Sequence, residues 1–350
     1  MGGTKGYRSY RGRGSRGKAA LAAVLVLVIL AALGFLWAQE YIVYDENGQA
    51  HFAPPWQAEE TPPVQEEPQE DQNVEVIVQE PEQPEDLAAF SVAGTPLTQS
   101  AWQEAWMGAT VMSAPAYNAA AVTLKDRTGR IFFASAGAAA GTVSTVEDTA
   151  AALTEVTESD FHTIARMSCF LDPIAARADV EGMGLKNTGG YIFYDGNDLN
   201  WLDPNKPAAR QYLCGLAQEI AALGFDEILL TDVGYPTTGP LDKIDYGGAD
   251  RAESIRAFLE ELRGALADYG VAISIQLPAE VLTSGRDDTA GLVLADIAPL
   301  VDRIYAVATA DQIPALTDAV TAAHDGTGFV AELAAHGPDV TGSCLILPQS

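Results

Sequence analysis

Hydrophobic positions fall into three regimes along this chain. Ala19 to Ala38 is uninterruptedly apolar, the stretch from about Pro54 to Asp86 is dominated by Pro, Glu and Gln, and from about Leu87 onward short apolar runs alternate with segments of helical periodicity. At roughly 1.5 Å per residue, an apolar run of about 20 residues crosses a hydrocarbon core of about 30 Å, so the first regime predicts a transmembrane helix. In the second, Glu59, Glu60, Glu66, Glu67, Glu70 and Asp71 repel one another and there is too little apolar surface to bury, which predicts a disordered, extended linker. Between the two, Tyr41-Ile42-Val43-Tyr44 followed by Asp45-Glu46-Asn47-Gly48 reads as a strand and a turn, a small hairpin or a stalk. The third regime has the strand–helix alternation of a parallel α/β domain.

Within that domain the apolar runs place strands at Ala119 to Leu124, His162 to Phe170, Tyr191 to Tyr194, Ile228 to Leu230, Val271 to Leu277, Arg303 to Val307, Gly328 to Leu333 and Cys344 to Leu347. Helices are expected near Val146 to Thr157 and Pro207 to Leu223, and again where Ile255, Phe258, Leu259 and Leu262 keep one apolar face. Eight strands predict a (β/α)8 TIM-type barrel. The sequence stops just after the last strand, so the final helix is expected to be missing and closure to be incomplete. The resulting plan is a basic tail (1–18), a membrane helix (19–38), a stalk and linker (39–86) and a barrel domain (87–350).

Charge sharpens this plan. The formal net charge is −28, yet Lys5, Arg8, Arg11, Arg13, Arg16 and Lys18 precede the apolar run with no acid among them. The positive-inside rule keeps that tail in the cytoplasm and sends the remainder outside, as a single-pass cell-membrane protein. A cleaved signal peptide is the competing reading, but its apolar core is usually about 7–15 residues and Leu36-Trp37-Ala38 is a poor cleavage site. The acidity of the exported part argues against nucleic acid, which is held through clustered Lys and Arg. Cys169, Cys214 and Cys344 sit in apolar settings and read as buried thiols, with Cys169 and Cys344 about 9–10 Å apart if one strand separates them.

Gly224 to Pro236 condenses the candidate chemistry. Gly224 ends a helix, Ile228 to Leu230 forms a strand covered on both faces, and Asp232 lies at its carboxyl end, where the loops of such barrels build active sites. Several blocks then resemble one family in order. They are Asn118 to Gly129 with Lys125-Asp126, His162 to Arg166 running to Phe170 and Asp172-Pro173, Trp201-Leu202-Asp203-Pro204, Tyr212, and Gly224 to Ile228. Together they are similar to the putative glycosyl hydrolase family, barrels related in fold to the α-amylase-type hydrolases and often exported.

The family pattern follows Phe-Asp-Glu-Ile by two residues, an aspartate, an aromatic, an aliphatic and an arginine. Here that aspartate falls on Thr231, the aromatic on Asp232 and the arginine on Gly234. A shift of one residue along a strand reverses the facing of a side chain, so Asp232 should point away unless a bulge intervenes or the strand has already ended.

Glycosidases place two carboxyl groups across the scissile bond. Asp232 and Glu280, which follows the fifth strand, are the expected catalytic pair; Glu280 resembles the acid of α-amylase-type barrels in strand order, and is alternatively a helix-start residue. Lys125, Asp126, Arg166, Asp172, Trp201, Tyr235 and Glu332 are expected to bind substrate. Aspartates beside Gly or Pro more commonly serve turns and caps, Lys125 and Arg166 could equally form buried ion pairs with those acids, and a tryptophan such as Trp201 more often packs over the barrel edge. His51, His162, His324 and His336 lack metal-ligand spacing, so no metal or cofactor is expected. The expected partner is a carbohydrate or cell-envelope polymer. A barrel that has lost catalysis and only binds glycan or serves as a scaffold is the alternative.

Overall fold

The computed structural model describes residues 42–44, 50–52, 86–111, 117–335 and 340–347. It divides into two compact units, Met1–Gln79 and Glu80–Ser350. In the first, strands Ile42–Tyr44 and Ala50–Phe52 pair antiparallel with Val43 opposite His51, which, of the two readings of hairpin or stalk, fits the hairpin. The membrane helix expected at Ala19 to Ala38 and the linker up to residue 85 lie outside the described residues. Among the described residues no helix is long and apolar enough to cross a membrane.

The second unit is a closed barrel of eight parallel strands. In chain order they are β1 (Ala88–Ser91), β2 (Ala119–Lys125), β3 (His162–Ser168), β4 (Glu227–Thr231), β5 (Ala272–Gln276), β6 (Arg303–Val307), β7 (Gly328–Leu333) and β8 (Cys344–Ile346). Closure is complete, contrary to the incomplete closure expected, because β8 pairs with β1 at Cys344 and Ala88. The barrel is sealed by backbone hydrogen bonds between strands, and a helix after β8 is not needed for that.

Seven of the expected strands belong to the barrel and one does not. Tyr191 to Tyr194 lies in the long connection after β3, where Ile192 makes only an isolated bridge to Lys186 and both tyrosines are exposed. The eighth strand is instead Ala88–Ser91, which precedes every strand expected from the pattern. Its alanines carry little strand propensity, but the interior requires small residues at that point. Leu87, Ala89, Ala119, Ala121, Ile164, Leu229, Tyr305, Val330 and Leu345 pack together inside the barrel, and the Tyr305 ring fits because alanines face it. A larger apolar layer fills the space between the strands and the surrounding helices.

Helices Thr149–Thr157, Pro207–Ala222 and Arg251–Leu266 match their expected positions. The second ends as its sequence predicts, with Gly224 in a left-handed conformation (φ +94°) that leads the chain into β4. All three cysteines are free and buried. Cys169 follows β3 and Cys344 lies on β8, so two strands separate them rather than one.

The inward positions set up two polar ends. On β3 they are His162, Ile164, Arg166 and Ser168, and on β4 they are Glu227, Leu229 and Thr231. At the amino-terminal floor, buried Glu227 accepts from His162 Nε2 (2.8 Å), Arg303 Nη1 (2.7 Å) and Tyr305 Oη (2.7 Å). Burial opposes ionisation of Glu227, but the His162 hydrogen bond and the Arg303 charge outweigh it and bring its pKa below the ordinary glutamate value. This network is structural. The carboxyl-terminal mouth holds the candidate site.

Candidate active site

Strand β4 ends at Thr231, and Ser168 at the end of β3 lies beside it in register. Thr231 keeps the inward facing of its strand and lines the mouth. The next residue, Asp232, has φ +52°, a left-handed conformation that non-glycine residues adopt rarely and Asp more readily than most. The strand has therefore stopped before the aspartate, and alternation no longer dictates its direction. Its carboxylate turns over the mouth, where Oδ2 accepts from Ser168 Oγ (2.8 Å) and Thr231 Oγ1 (3.3 Å). Ser168 has one proton and also lies 3.2 Å from the Leu171 carbonyl; the nearer, charged acceptor takes it.

The other carboxylate oxygen, Oδ1, accepts from Arg127 Nε at 3.0 Å. The cation absent at Gly234 is thus replaced from a different loop, the one after β2. That loop is rigid. Asp126 Oδ1 accepts from Thr128 N (2.9 Å), Thr128 Oγ1 (2.7 Å) and Arg130 N (3.1 Å), closing a turn. Gly129 has φ +82°, and a Cβ there would stand 2.2 Å from Asp172 Oδ1.

Beneath the loop, the fully buried Lys125 donates to the Ser168 carbonyl (2.7 Å) and pairs with Asp172 (3.0 Å). A register irregularity between Thr123 and Lys125 re-aims this end of β2. Asp172 also caps helix Pro173–Ala178 by accepting from Ala175 N at 2.9 Å. Lys125 and Asp172 are braces below the mouth, with their charges consumed by each other. Asp126 is a turn residue at its edge.

Two connected clefts open at the mouth. The inner one, about 590 Å³, is lined by Thr123, Arg127, Arg166, Ser168, Asp232 and Gln276 among others. On its far side Arg166 pairs with the buried Glu332 (3.2 Å), which also accepts from Gln276 Nε2. The outer cleft, about 710 Å³, includes Asp195, Trp201, Asp232, Tyr235, Glu280 and Val307. Arg127, Asp232 and Gln276 line both.

Glu280 occupies the first turn of helix Ala279–Ser284, exposed at the outer cleft, with no side-chain partner among the described residues. Asp232 and Glu280 are thus brought to one cleft, the former anchored and the latter free. Trp201 is buried with Nε1 donating to Asp195 (3.0 Å), and Tyr235 is buried edge-on against Tyr246 at 5.4 Å, so both rings are held by packing at the cleft wall. Ser168, Arg127 and Gln276 were not among the sequence candidates. Counting inward positions by twos from His162 would have reached Ser168; nothing in the pattern marks Arg127 as the partner of a residue 105 positions away. Among the described residues no group of His, Cys, Asp and Glu is arranged to hold a metal ion.

A parallel eight-stranded barrel with carboxylates gathered at its carboxyl-terminal mouth defines the class: an α/β barrel of TIM type. The sequence profile of the putative glycosyl hydrolase domain matches residues 98–308, and the chain belongs to that family. No curated protein sequence matches. Solved structures similar to the chain include a hypothetical protein from Ruminiclostridium thermocellum (25% identity over 54% of this chain and 96% of that one, TM-score 0.43). They also include the PgaB (BpsB) glycoside hydrolase domain from Bordetella bronchiseptica (14% identity, 71% and 83%, TM-score 0.49). A third is the GH20 exo-β-N-acetylglucosaminidase from Vibrio harveyi (13% identity, 71% and 41%, TM-score 0.46), of which the chain spans less than half.

Proposed function

We propose that this barrel hydrolyses glycosidic bonds of an envelope or environmental polysaccharide, with Glu280 protonating the leaving oxygen and Asp232 acting as nucleophile or base. The observation that carries this reading is the setting of Asp232. Its carboxylate is held on one side by Ser168 and on the other by Arg127, in a cleft that also presents the unpartnered Glu280. Two carboxyl groups lining one cleft are the minimum that a two-carboxylate mechanism needs. Arg166 and Gln276 offer polar contacts on the inner side, backed by the buried Glu332, while Trp201, Tyr235, Lys125, Asp126 and Asp172 shape the walls and loops.

A second reading, a barrel that binds glycan without cleaving it, is favoured by Thr231, which occupies the inward position where the family pattern has its acid. Two assays on purified protein separate the readings: release of reducing ends from a polysaccharide panel, and retention on the same insoluble polymers. Hydrolysis supports the first reading, and retention without hydrolysis the second.

The basic tail and apolar run at the amino terminus support a single-pass tether that places the barrel outside the cytoplasm. External protease added to intact cells should then digest the barrel; protection until the cells are lysed would contradict this placement.

A further inference from the structure

We propose that Arg127 is a saccharide-binding residue of the mouth, holding Asp232 through Nε while its terminal nitrogens donate to an oxygen of a saccharide that passes from one cleft to the other. The inference rests on the carbohydrate reading but not on catalysis by Asp232 and Glu280.

Three observations meet at this residue. First, Arg127 stands on the wall shared by both clefts, so a chain occupying the two together must pass it. Second, its only partner among the described residues is Asp232, reached through Nε; Nη1 and Nη2 are left without one, and the side chain is 69% exposed. A guanidinium holding a carboxylate from its side keeps a fork of further N–H donors for sugar hydroxyl, ring or carboxylate oxygens. Third, the loop beneath is pinned by the Asp126 turn and by the close approach of Gly129 to Asp172, so its backbone carries Arg127 at a set place over the mouth.

The Arg127 end of the pair is exposed although Asp232 is only 12% exposed, so solvent screens the pair and its guanidinium stays accessible from the clefts. Lys125 and Arg166, the other cations lining the inner cleft, are each neutralised by a buried acid, Asp172 and Glu332. Arg127 is the one whose acid faces the same clefts that it does.

Phenylglyoxal footprinting read by mass spectrometry tests this without an activity assay. The full chain is modified alone and with hexasaccharides of glucose, N-acetylglucosamine, glucosamine or galacturonate, each also titrated by calorimetry. Arg130, exposed on the same loop but lining neither cleft, is the internal control. Any hexasaccharide that binds should slow modification of Arg127 roughly tenfold near saturation and leave Arg130 unchanged. Arg127→Ala should weaken that binding roughly tenfold with an unchanged melting temperature, and Arg127→Lys should recover part of the loss. Binding with Arg127 still fully reactive, or with unchanged affinity in Arg127→Ala, would overturn the assignment. If none of the four binds, the carbohydrate reading falls and this assignment with it, whereas binding and protection without hydrolysis would uphold Arg127 and remove only the catalytic proposal.

Discussion

Ser168 and Asp232 share a 2.8 Å hydrogen bond although one is the last residue of β3 and the other lies just past the end of β4. The neighbour of Ser168 in register is Thr231, so the contact exists only because Asp232 leaves the strand in a left-handed conformation and folds its carboxylate back over the mouth. Strand termination offsets the one-residue displacement from the family pattern. The left-handed backbone and the hydrogen bonds to the side chain are parts of one arrangement.

That arrangement has a stability signature. At φ +52° an alanine bears the left-handed penalty of about 1–2 kcal/mol without any local hydrogen bond, whereas glycine bears none but loses more entropy on folding. Asp232→Gly is therefore expected to be more stable than Asp232→Ala by about 0.5–1 kcal/mol in urea denaturation. The reverse order would mean that residue 232 does not hold this conformation in solution.

The Lys125–Asp172 pair is fully buried at 3.0 Å. Lys125→Met leaves Asp172 buried without its cation and is expected to cost about 3–5 kcal/mol. Gly129→Ala, which drives a Cβ toward the same carboxylate at positive φ, is expected to cost at least about 2 kcal/mol. Both are read from urea midpoints at unchanged slope. A loss under about 1 kcal/mol in each would show that this brace is not a fixed part of the fold.

At the barrel floor, the folded-state pKa of Glu227 lies below its ordinary value of 4.5. The folded protein thus binds the proton less readily than the unfolded chain. The contribution of Glu227 is fully present above about 4.5 and is lost as pH falls through the depressed folded value. Glu227→Gln should lower the melting temperature at neutral pH, where the carboxylate pairs with Arg303, and should flatten its decline below that pH. Parallel melting curves for wild type and variant across the acid range would refute the linkage.

The sequence made the barrel legible wherever strands carry β-branched or large apolar residues, as in β4 and β6, and where a glycine had to end a helix, as at Gly224. It hid β1, because Ala88 and Ala89 carry little strand propensity and only the narrow interior, which Ala89 faces, accounts for so small a residue there. It suggested a false strand at Tyr191 to Tyr194, because aromatic residues in a long loop imitate one. Asp232 and Glu280 could be proposed from their places after strands, since the topology carries both to one end of the barrel. Ser168 and Arg127 could not be assigned as partners of Asp232, because both contacts depend on how the chain leaves β4, and the strand's alternation argues for the opposite facing. Lys125 and Asp172 illustrate the converse: from the sequence, ion pairing and ligand contact are equally open to Lys125, and the structure shows the buried ion pair.

The most direct test of the account is the initial rate of reducing-end release from a polysaccharide panel by wild type, Asp232→Asn and Glu280→Gln, each confirmed as folded by its melting temperature. The predicted result is measurable release by wild type and a loss of roughly 10²–10⁴-fold in each variant. Release by wild type at a rate that neither substitution changes would contradict the assignment of this pair.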